Sequence, residues 1–574
     1  MDNNTVEIII ENCNQRVQFP QGADLRSIAD EYQSACRFPI IGALVNNELH
    51  SLNYHIYTPK SIRFVDVANK NGYRMYKSSL TFMLYKAVRD VYPKAHLTIE
   101  HSLLNGFYCK IDQNPADPEQ SPAIALLNPT ETEPDKNVDV ARKVRNRMVE
   151  LRNDDLPFTT RHMLLTDALE LIKNEGIPET YRLLSGLGQL YVTMNFLDGT
   201  PHKLDSTLVP STGHLKVWDF RIFEEGFLLQ CPDPEHPEVL SLYQDTPKLF
   251  SIFQEHHRWA NLLHVPNVED LNREVHNGNT CHLIHVAEAL HEKKYATIAD
   301  AINQRRDTVK MVLLAGPSSS GKTTSCRRLA VQLSVLGFDV QQMSLDDYFV
   351  DRSRTPKQPN GEYDFEALEA LDIPLLNEHL LRLFEGEKVD IPTYDFISGA
   401  PHFGDKSLQM KENSILIVEG IHALNPKLTS QIAEELKFKV YVSALTQISI
   451  DDQNIIHSSD NRLIRRIVRD NNYRGYSAHN TLKRWDSVRH GEELHIFPYQ
   501  ENADMMFNSA LLYELGILKT FAEPLLKKVP ENAIEYAEAS RLLNFIELIE
   551  PIDPKYIPPT SILREFLGGS SFEY

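Results

Sequence analysis

The sequence predicts a multidomain protein that combines α/β and α+β folds, and three observations support this fold class. The chain has 574 residues, which is too many for a single hydrophobic core. Residues 5–67 contain short β-type runs around one helical segment, the pattern of a small α+β domain. Residues 312–336 contain an apolar run, a glycine-rich loop and a helical pattern, which predict a C-terminal domain with a doubly wound parallel sheet.

The first 68 residues are predicted to form a β-grasp domain. Strands are expected at 6–10, 16–19, 41–45 and 62–67, and a helix is expected at 24–31. The order strand, strand, helix, strands is that of a ubiquitin-like roll. It resembles the TGS domain found at the N-terminus of threonyl-tRNA synthetases and of some GTPases.

Residues 70–230 resemble the second N-terminal domain of threonyl-tRNA synthetase, which edits mischarged tRNA in that family. The resemblance lies in Met83-Leu-Tyr-Lys-Ala-Val-Arg-Asp-Val-Tyr-Pro and in the run that begins Leu97-Thr-Ile-Glu-His-Ser-Leu. The family's metal-type signature is H-x-x-x-H on the first helix and C-x-x-x-H later. Here these positions hold Ser78, Phe82, Leu204 and Leu208. Because none of these side chains is a metal ligand, we expect no editing activity.

The rest of the chain is predicted to contain a helical connector, an α/β domain and a helical tail. The predicted domain bounds are 1–68, 70–230, 231–305, 306–525 and 526–574. The connector begins with a proline-rich run at Cys231, and the α/β domain begins just before the apolar run at 312.

The most informative motif is G-x-x-x-x-G-K-T at residues 316–323, which is typical of a phosphate-binding loop. Gly316 and Gly321 let the backbone turn its N–H groups inward, and Lys322 reaches the β- and γ-phosphates. The Thr323 hydroxyl faces Mg²⁺. The predicted nucleotide-binding residues are Gly316, Pro317, Ser318, Ser319, Ser320, Gly321, Lys322, Thr323 and Thr324.

Acidic residues follow two further strands that are predicted for this domain. Asp346 and Asp347 come directly after a strand at 339–345, and Glu419 ends an apolar run that begins at Ser414. Because the carboxyl ends of parallel strands surround the ligand in such sheets, an acid there can act as the general base. We assign that role to Asp346, with Asp347 as the alternative. Glu419 is expected to hold Mg²⁺ together with Thr323.

Arginines are concentrated in one predicted helix of the C-terminal domain. Arg462, Arg465, Arg466 and Arg469 have the spacing i, i+3, i+4 and i+7, which places them on one helix face, and Arg474 follows. Most charged helix faces are simply solvated. Positive charges with only Asp470 among them would repel one another unless an anion lay opposite. We therefore expect a lid that closes over ATP.

Six motifs in this region resemble, in the same order, the uridine kinase and phosphoribulokinase group of P-loop kinases. They are Gly316-Pro-Ser-Ser-Ser-Gly-Lys-Thr-Thr, Ser344-Leu-Asp-Asp-Tyr-Phe, Glu362-Tyr-Asp-Phe-Glu, Ile391-Pro-Thr-Tyr-Asp-Phe, Val418-Glu-Gly-Ile and Arg462-Leu-Ile-Arg-Arg-Ile-Val-Arg-Asp. The resemblance implies an ATP- and Mg²⁺-dependent phosphotransferase that acts on the primary hydroxyl of a nucleoside or a related polyol. With the N-terminal half, the whole chain resembles bacterial TGS-domain nucleoside kinases, which also carry Ser487-Val-Arg-x-Gly-Glu-Glu and Ser561-Ile-Leu-Arg-Glu-Phe-Leu-Gly-Gly.

The resemblance to uridine kinases also implies roles for individual residues. Asp346 matches the residue that activates the acceptor hydroxyl. The other catalytic residues that it implies are Lys322, Arg469 and Arg474, and the substrate-binding residues are Asp364, Tyr394 and Arg466.

Three positions depart from uridine kinases in the acceptor pocket. Gly399 stands where a base-recognising histidine is found, Tyr476 replaces a lid arginine, and Arg484 replaces a pocket glutamine. Losing a buried hydrogen-bond partner changes selectivity by orders of magnitude. The resemblance therefore leaves the acceptor open, with His402 as one substitute for the missing histidine.

Composition and charge narrow the functional classes. The net charge is −20, which argues against an extended nucleic-acid surface, and no run is long and apolar enough for a membrane span. Residues 1–7 show no signal-peptide pattern, so a cytoplasmic protein is expected. Besides the kinase hypothesis, two alternative functions stay open. One is a nucleotide-gated RNA- or tRNA-synthetase-associated binding protein, and the other is a kinase with a regulatory or oligomerising N-terminal half; the oligomeric state is left open.

Overall fold

The computed structural model describes residues 5–103, 106–113, 134–204, 206–242, 244–358, 361, 363–395 and 398–573. Two residues of the motifs quoted above, Glu362 and Phe396, lie outside these ranges. Within these ranges, no helix combines the length and the apolar character that crossing a membrane requires.

The N-terminal segment forms a mixed sheet with one helix packed on it. Its strands are β1 (Thr5–Ile10), β2 (Gln15–Pro20), β3 (Ala23–Asp24), β4 (Gly42–Val45), β5 (Glu48–Ser51), β6 (His55–Ile56) and β7 (Lys60–Val65), and its helix is α1 (Leu25–Glu31). The main sheet has the order β2-β1-β7-β4-β5, in which only β1 and β7 are parallel. Alternate residues of β1, Ile8 and Ile10, are fully buried against Leu25 and Ile28 of α1, as the period of a half-buried strand requires.

The second segment is an α+β unit built around one long buried helix. Its elements are α2 (Lys70–Val91), β8 (His96–Leu103), β9 (Gly106–Asp112), α3 (Pro134–Asp154), β10 (Phe158–Leu164), α4 (Leu165–Glu175), α5 (Pro178–Gly186), β11 (Tyr191–Leu197), β12 (Thr200–His202), β13 (Asp219–Phe223) and β14 (Gly226–Gln230). They form two antiparallel sheets, β10-β11-β12 and β13-β14-β9-β8. Phe82, Leu204 and Leu208, three of the positions compared with metal ligands above, are buried in its apolar core.

The C-terminal part contains the parallel sheet that the sequence predicts. Its strands are β15 (Met311–Ala315), β16 (Asp339–Ser344), β17 (Lys388–Asp395), β18 (Ala400–Gln409), β19 (Ser414–Glu419), β20 (Lys437–Ser443) and β21 (Met505–Asn508). The main sheet has the order β16-β19-β15-β20-β21, and all of its pairs are parallel. β17 and β18 form a separate antiparallel hairpin. The predicted parallel sheet is thus confirmed.

Helices cover both faces of this sheet. They are α6 (Pro247–Leu262), α7 (Val268–His276), α8 (Thr280–Asn303), α9 (Lys322–Val335), α10 (Ile373–Phe384), α11 (Ser458–Arg474), α12 (Ala478–His495), α13 (Glu514–Leu526), α14 (Tyr536–Glu547) and α15 (Arg564–Leu567). Val312 and Leu314 of β15 pack with α8, α9 and α11, whereas Leu313 packs with α10 on the opposite face. The same core includes the predicted connector and tail, through residues such as Ile284 and Phe566, so both segments contribute to the stability of this C-terminal part.

Candidate active site

The glycine-rich loop leaves the buried strand β15 and enters helix α9 in the geometry of a phosphate cradle. A Cβ on Gly316 would lie 1.9 Å from the carbonyl oxygen of Val442, so no other residue fits there. Ser319 and Gly321 have φ angles of 58° and 79°, the left-handed region that turns backbone N–H groups inward. Helix α9 begins at Lys322, so its N-terminal N–H groups point into the loop.

Two buried ion pairs contact the backbone of the phosphate loop. Arg462, which is 2% exposed, forms a bidentate pair with Glu492, and its Nη1 also donates to the Ser318 carbonyl oxygen over 3.1 Å. The same carboxylate accepts a hydrogen bond of 3.0 Å from the Ser318 N–H. Arg465, which is fully buried, pairs with Glu514, and its Nη1 donates to the Ser319 carbonyl oxygen over 3.3 Å.

These contacts correct one expectation about the arginine helix. Arg462 and Arg465 are not lid residues, because each already pairs with a buried carboxylate. Arg462 pairs with Glu492 of α12, and Arg465 pairs with Glu514 at the start of α13. The spacing of the arginines predicts that they share one helix face. It does not predict their carboxylate partners, which belong to elements later in the chain. Both side chains instead fix the backbone of the phosphate loop.

The other three arginines of α11 face the cleft and share one buried carboxylate. Asp470 lies 3.3 Å from Arg466 Nε, 3.1 Å from Arg469 Nη2 and 3.6 Å from Arg474 Nη1. Arg466 also donates to the Ser318 hydroxyl over 2.7 Å. Asp470 alone cannot neutralise three guanidiniums, and the other acids that act on these arginines include Asp346 and Glu366 of the cleft. The three guanidiniums are nevertheless donors of the kind that bind phosphate oxygens.

Glu419 lies at the end of β19, beside the first turn of α9. Its Oε1 accepts hydrogen bonds from the Thr323 hydroxyl over 3.3 Å and from the Ser344 hydroxyl over 3.4 Å. Desolvation, together with the negative charge of Asp346, raises the pKa of Glu419 to about 7. A carboxylate and a hydroxyl form the hard oxygen set that Mg²⁺ prefers, and a cation would offset the cost of ionising the half-buried Glu419. The residues present therefore fit the ion.

The two adjacent acids after β16 have different surroundings. Asp347 accepts a hydrogen bond of 3.2 Å from Lys406 Nζ in the β17–β18 hairpin. Asp346 faces the cleft, where it interacts electrostatically with Lys322, Arg474 and Arg469. The groups around the Asp346 carboxyl displace part of its hydration and raise its pKa, although solvent still reaches the side chain.

The acceptor side of the cleft contains an acid that the sequence analysis missed. Glu366 interacts electrostatically with Arg466, Lys322 and Asp346, and desolvation raises its pKa to about 7. Asp364, which the resemblance assigned to substrate binding, accepts a hydrogen bond of 3.1 Å from the Glu366 N–H. Both acids belong to the motif that begins at Glu362, but the motif does not indicate which carboxylate turns towards the cleft.

The positions that were compared with uridine kinases in the acceptor pocket form contacts within the chain. Gly399 has a φ of 76°, and a Cβ there would lie 2.6 Å from the Arg352 guanidinium, which covers the glycine. Tyr394 is buried with its ring centroid 5.4 Å from that of Phe349. The Arg484 guanidinium stacks over the Tyr476 ring at 4.6 Å. His402 is exposed on β18, opposite Thr393 of β17.

The C-terminal segment reaches the phosphate loop, which the sequence analysis also missed. Glu565 Oε2 accepts hydrogen bonds from the N–H of Thr324 over 3.2 Å and from its hydroxyl over 2.6 Å. Ile562 lies so close to Gly321 that a Cβ there would approach it to 2.5 Å. In the sequence, this segment was marked only by the motif that begins at Ser561. The local pattern of that motif does not indicate that the segment contacts the phosphate loop.

The parallel sheet, the phosphate loop and the acids at the strand ends define the class of P-loop kinases. Residues 311–512 match the family described as Phosphoribulokinase / Uridine kinase family, and the chain belongs to this family through that region. A uridine kinase from Staphylococcus aureus strain JH9 is 30% identical over 194 residues, which cover 34% of this chain and 84% of that protein. The uridine kinase of strain Newman matches equally.

Two solved structures resemble this region in part. One is described as a possible uridine kinase from Bacillus stearothermophilus, with 18% identity, a TM-score of 0.23, and coverage of 35% of this chain and 89% of that chain. The other is D-glycerate 3-kinase from Cryptococcus neoformans, with 15% identity, a TM-score of 0.21, and coverage of 49% of this chain and 90% of that chain.

Proposed function

We propose that the protein is an ATP- and Mg²⁺-dependent kinase that phosphorylates a primary hydroxyl of a nucleoside or a related polyol. The observation that carries this proposal is the position of Asp346, which shares one cleft with Lys322, Glu419, Arg469 and Arg474. A base, a phosphate cradle and positively charged side chains are the parts that phosphoryl transfer needs. The uridine kinases among its relatives support the reaction class.

Each part of the cleft has a role in this proposal. Asp346 orients the acceptor hydroxyl and takes its proton, and Lys322 holds the β- and γ-phosphates. Thr323 and Glu419 would hold Mg²⁺, which when bound neutralises charge on the transferring phosphoryl group. Arg469 and Arg474 stabilise the equatorial oxygens and exclude water.

The acceptor side is proposed to recognise hydroxyl groups rather than a pyrimidine base. Glu366, Asp364 and Arg466 supply hydrogen-bonding groups there, and Tyr394 supplies an apolar wall. The Arg352 guanidinium covers Gly399, the position that matches the base-recognising histidine of uridine kinases. A cationic side chain at that place favours an acceptor that carries an oxygen-rich or anionic substituent.

The N-terminal half is proposed to be attached to this kinase as a regulatory or oligomerising part that has no editing activity. Residues 1–68 are proposed to be a TGS-like domain and residues 70–230 a synthetase-like domain, and the absence of metal-ligand types at Ser78 and Phe82 supports the loss of editing. The connector at 231–305, the kinase at 306–525 and the tail at 526–574 complete the proposed division. A cytoplasmic enzyme that binds no nucleic acid agrees with the charge of −20.

The test is ATP consumption with a panel of nucleosides, pentoses and small polyols. The wild-type protein and Asp346→Asn are compared at equal concentration, because the variant keeps the phosphate loop and removes the base. At least one acceptor should be turned over by the wild type alone. If the wild type consumes no more ATP than Asp346→Asn with every acceptor, the proposed activity is wrong.

A further inference from the structure

Besides the cleft at the phosphate loop, the protein has a cavity between the N-terminal half and the start of helix α11. It has a volume of about 130 Å³ and is lined by residues of α2, including Lys77, and by the segment that precedes α11, including Gln453. That segment is anchored on the N-terminal half: the Ile99 N–H donates to the Asp452 carbonyl oxygen over 2.7 Å, and Thr180 donates to Asp451 over 2.9 Å. Arg541 and Phe545 of α14 complete the lining.

The charges around the cavity are matched except at one lysine. Arg541 donates to Asp460 over 2.8 Å and to Glu538 over 2.7 Å, and Arg74 Nη2 donates to Glu538 over 3.0 Å. Within the described ranges, Lys77 has neither a carboxylate nor a hydrogen-bond partner. Its ammonium instead lies 5.1 Å and 5.8 Å from the ring centroids of Tyr73 and Phe107. Burial lowers the pKa of Lys77 and Arg74 adds repulsion, and the attraction of Asp460, which already pairs with Arg541, does not offset them.

A buried acceptor in the same lining also lacks a partner. Gln453 is 5% exposed, and its amide nitrogen donates to the Leu97 carbonyl oxygen over 2.9 Å, which fixes the side chain. Its Oε1 has no hydrogen-bond partner. An unmet buried acceptor is unfavourable unless a ligand or a water supplies a donor. Lys77 and Gln453 thus complement two groups of a ligand, an anion and a hydrogen-bond donor.

We propose that this cavity binds a small carboxylic acid that also carries a hydroxyl or an amino group. The carboxylate pairs with Lys77 and the second group donates to Gln453 Oε1. One unmatched positive charge suits a monoanion, whereas a phosphate dianion would place excess negative charge near Asp460 and Glu538. Phe107 and Leu204 supply the apolar wall for the short carbon chain.

The experiment is thermal unfolding of the full chain with glycolate, L-lactate, D-glycerate or L-serine at millimolar concentration and matched ionic strength. At least one acid should raise the Tm of the wild type by about 3 °C, because a ligand that binds only the folded state stabilises it. Glycolamide and lactamide, which lack the charge, should give no rise.

Two variants locate the binding. Lys77→Met and Gln453→Leu should each lose the rise, and Lys70→Met, which removes an exposed lysine from the same helix, should keep it. Circular dichroism establishes which variants fold, and Gln453→Leu decides the question if Lys77→Met does not. The proposal is overturned if no acid stabilises the wild type, if the neutral amides stabilise it equally, or if the folded cavity variants keep the full rise.

Discussion

The hydroxyl of Thr324 donates a hydrogen bond of 2.6 Å to Glu565, a residue that lies 241 positions later in the chain. The Thr324 N–H donates to the same carboxylate oxygen over 3.2 Å. Both donors lie in the first turn of α9, where phosphate loops direct their N–H groups at the nucleotide. The C-terminal carboxylate therefore occupies donors that a bound phosphate also needs.

Replacing Glu565 with Gln should strengthen nucleotide binding. The substitution removes a negative charge from the phosphate site and weakens the contacts that a nucleotide must displace. We expect the Kd for ADP, measured by calorimetry, to fall roughly tenfold, the equivalent of one charge-assisted hydrogen bond. Glu385→Gln, which changes an exposed carboxylate directly after α10, is the matched control and should leave the Kd unchanged. Weaker ADP binding by Glu565→Gln would instead make Glu565 a support of the loop.

Replacing Glu492 with Gln should destabilise the kinase region severely. It leaves the buried Arg462 guanidinium without a counter-charge and weakens the hydrogen bond from the Ser318 N–H. Breaking a buried ion pair costs about 3–5 kcal/mol, so the Tm of the kinase region should fall by about 6–20 °C. Glu493→Gln is the control, because Glu493 is about half exposed and its pair with Arg489 lies at the surface. Equal Tm values for the two variants would contradict the role assigned to Arg462.

The parallel sheet and the phosphate loop were predictable because their signals are local. An apolar run, a fixed glycine spacing and the helical period after Lys322 all lie within a few turns of chain. The partners of the arginines were not predictable, because Arg462 pairs with Glu492 and Arg465 with Glu514 across the fold. Periodicity gives the face of a helix but not what packs against it, and for the same reason Glu565 was missed at the phosphate loop.

Magnesium-dependent activity should fall as the pH drops below about 7. The pKa of Glu419 is raised to about 7, so a proton competes with the cation for its carboxylate below that pH. The apparent Kd for Mg²⁺ in the presence of ADP should rise about tenfold per pH unit below 7 and level off above it. Calorimetric titrations at several pH values measure this. A flat profile between pH 5.5 and 7 would remove Glu419 from the metal site.

The same shift affects stability in the absence of metal. Because the folded-state pKa of Glu419 lies above its usual value of 4.5, the folded state binds more protons than the unfolded state between these two values. This group's contribution is complete below about pH 4.5 and is lost as the pH rises through about 7. Glu419→Gln should therefore reduce the decline in Tm over this window. Glu366 and Asp451, whose pKa values are raised to about 7 and about 6, should contribute to the decline that is left.

The identity of the base can be decided between two adjacent residues. Asp346 faces Lys322, Arg469 and Arg474 across the cleft, whereas Asp347 is engaged by Lys406 over 3.2 Å. Asp346→Asn should lower kcat by about 10²- to 10⁴-fold, the usual contribution of a general base. Its Kd for ADP should not rise, because the loop is intact and one negative charge near the phosphates is gone. Asp347→Asn should keep kcat within about threefold of wild type, since it changes an ion pair beside the site. A larger loss for Asp347→Asn than for Asp346→Asn, with ADP binding retained in both, would exchange the two roles.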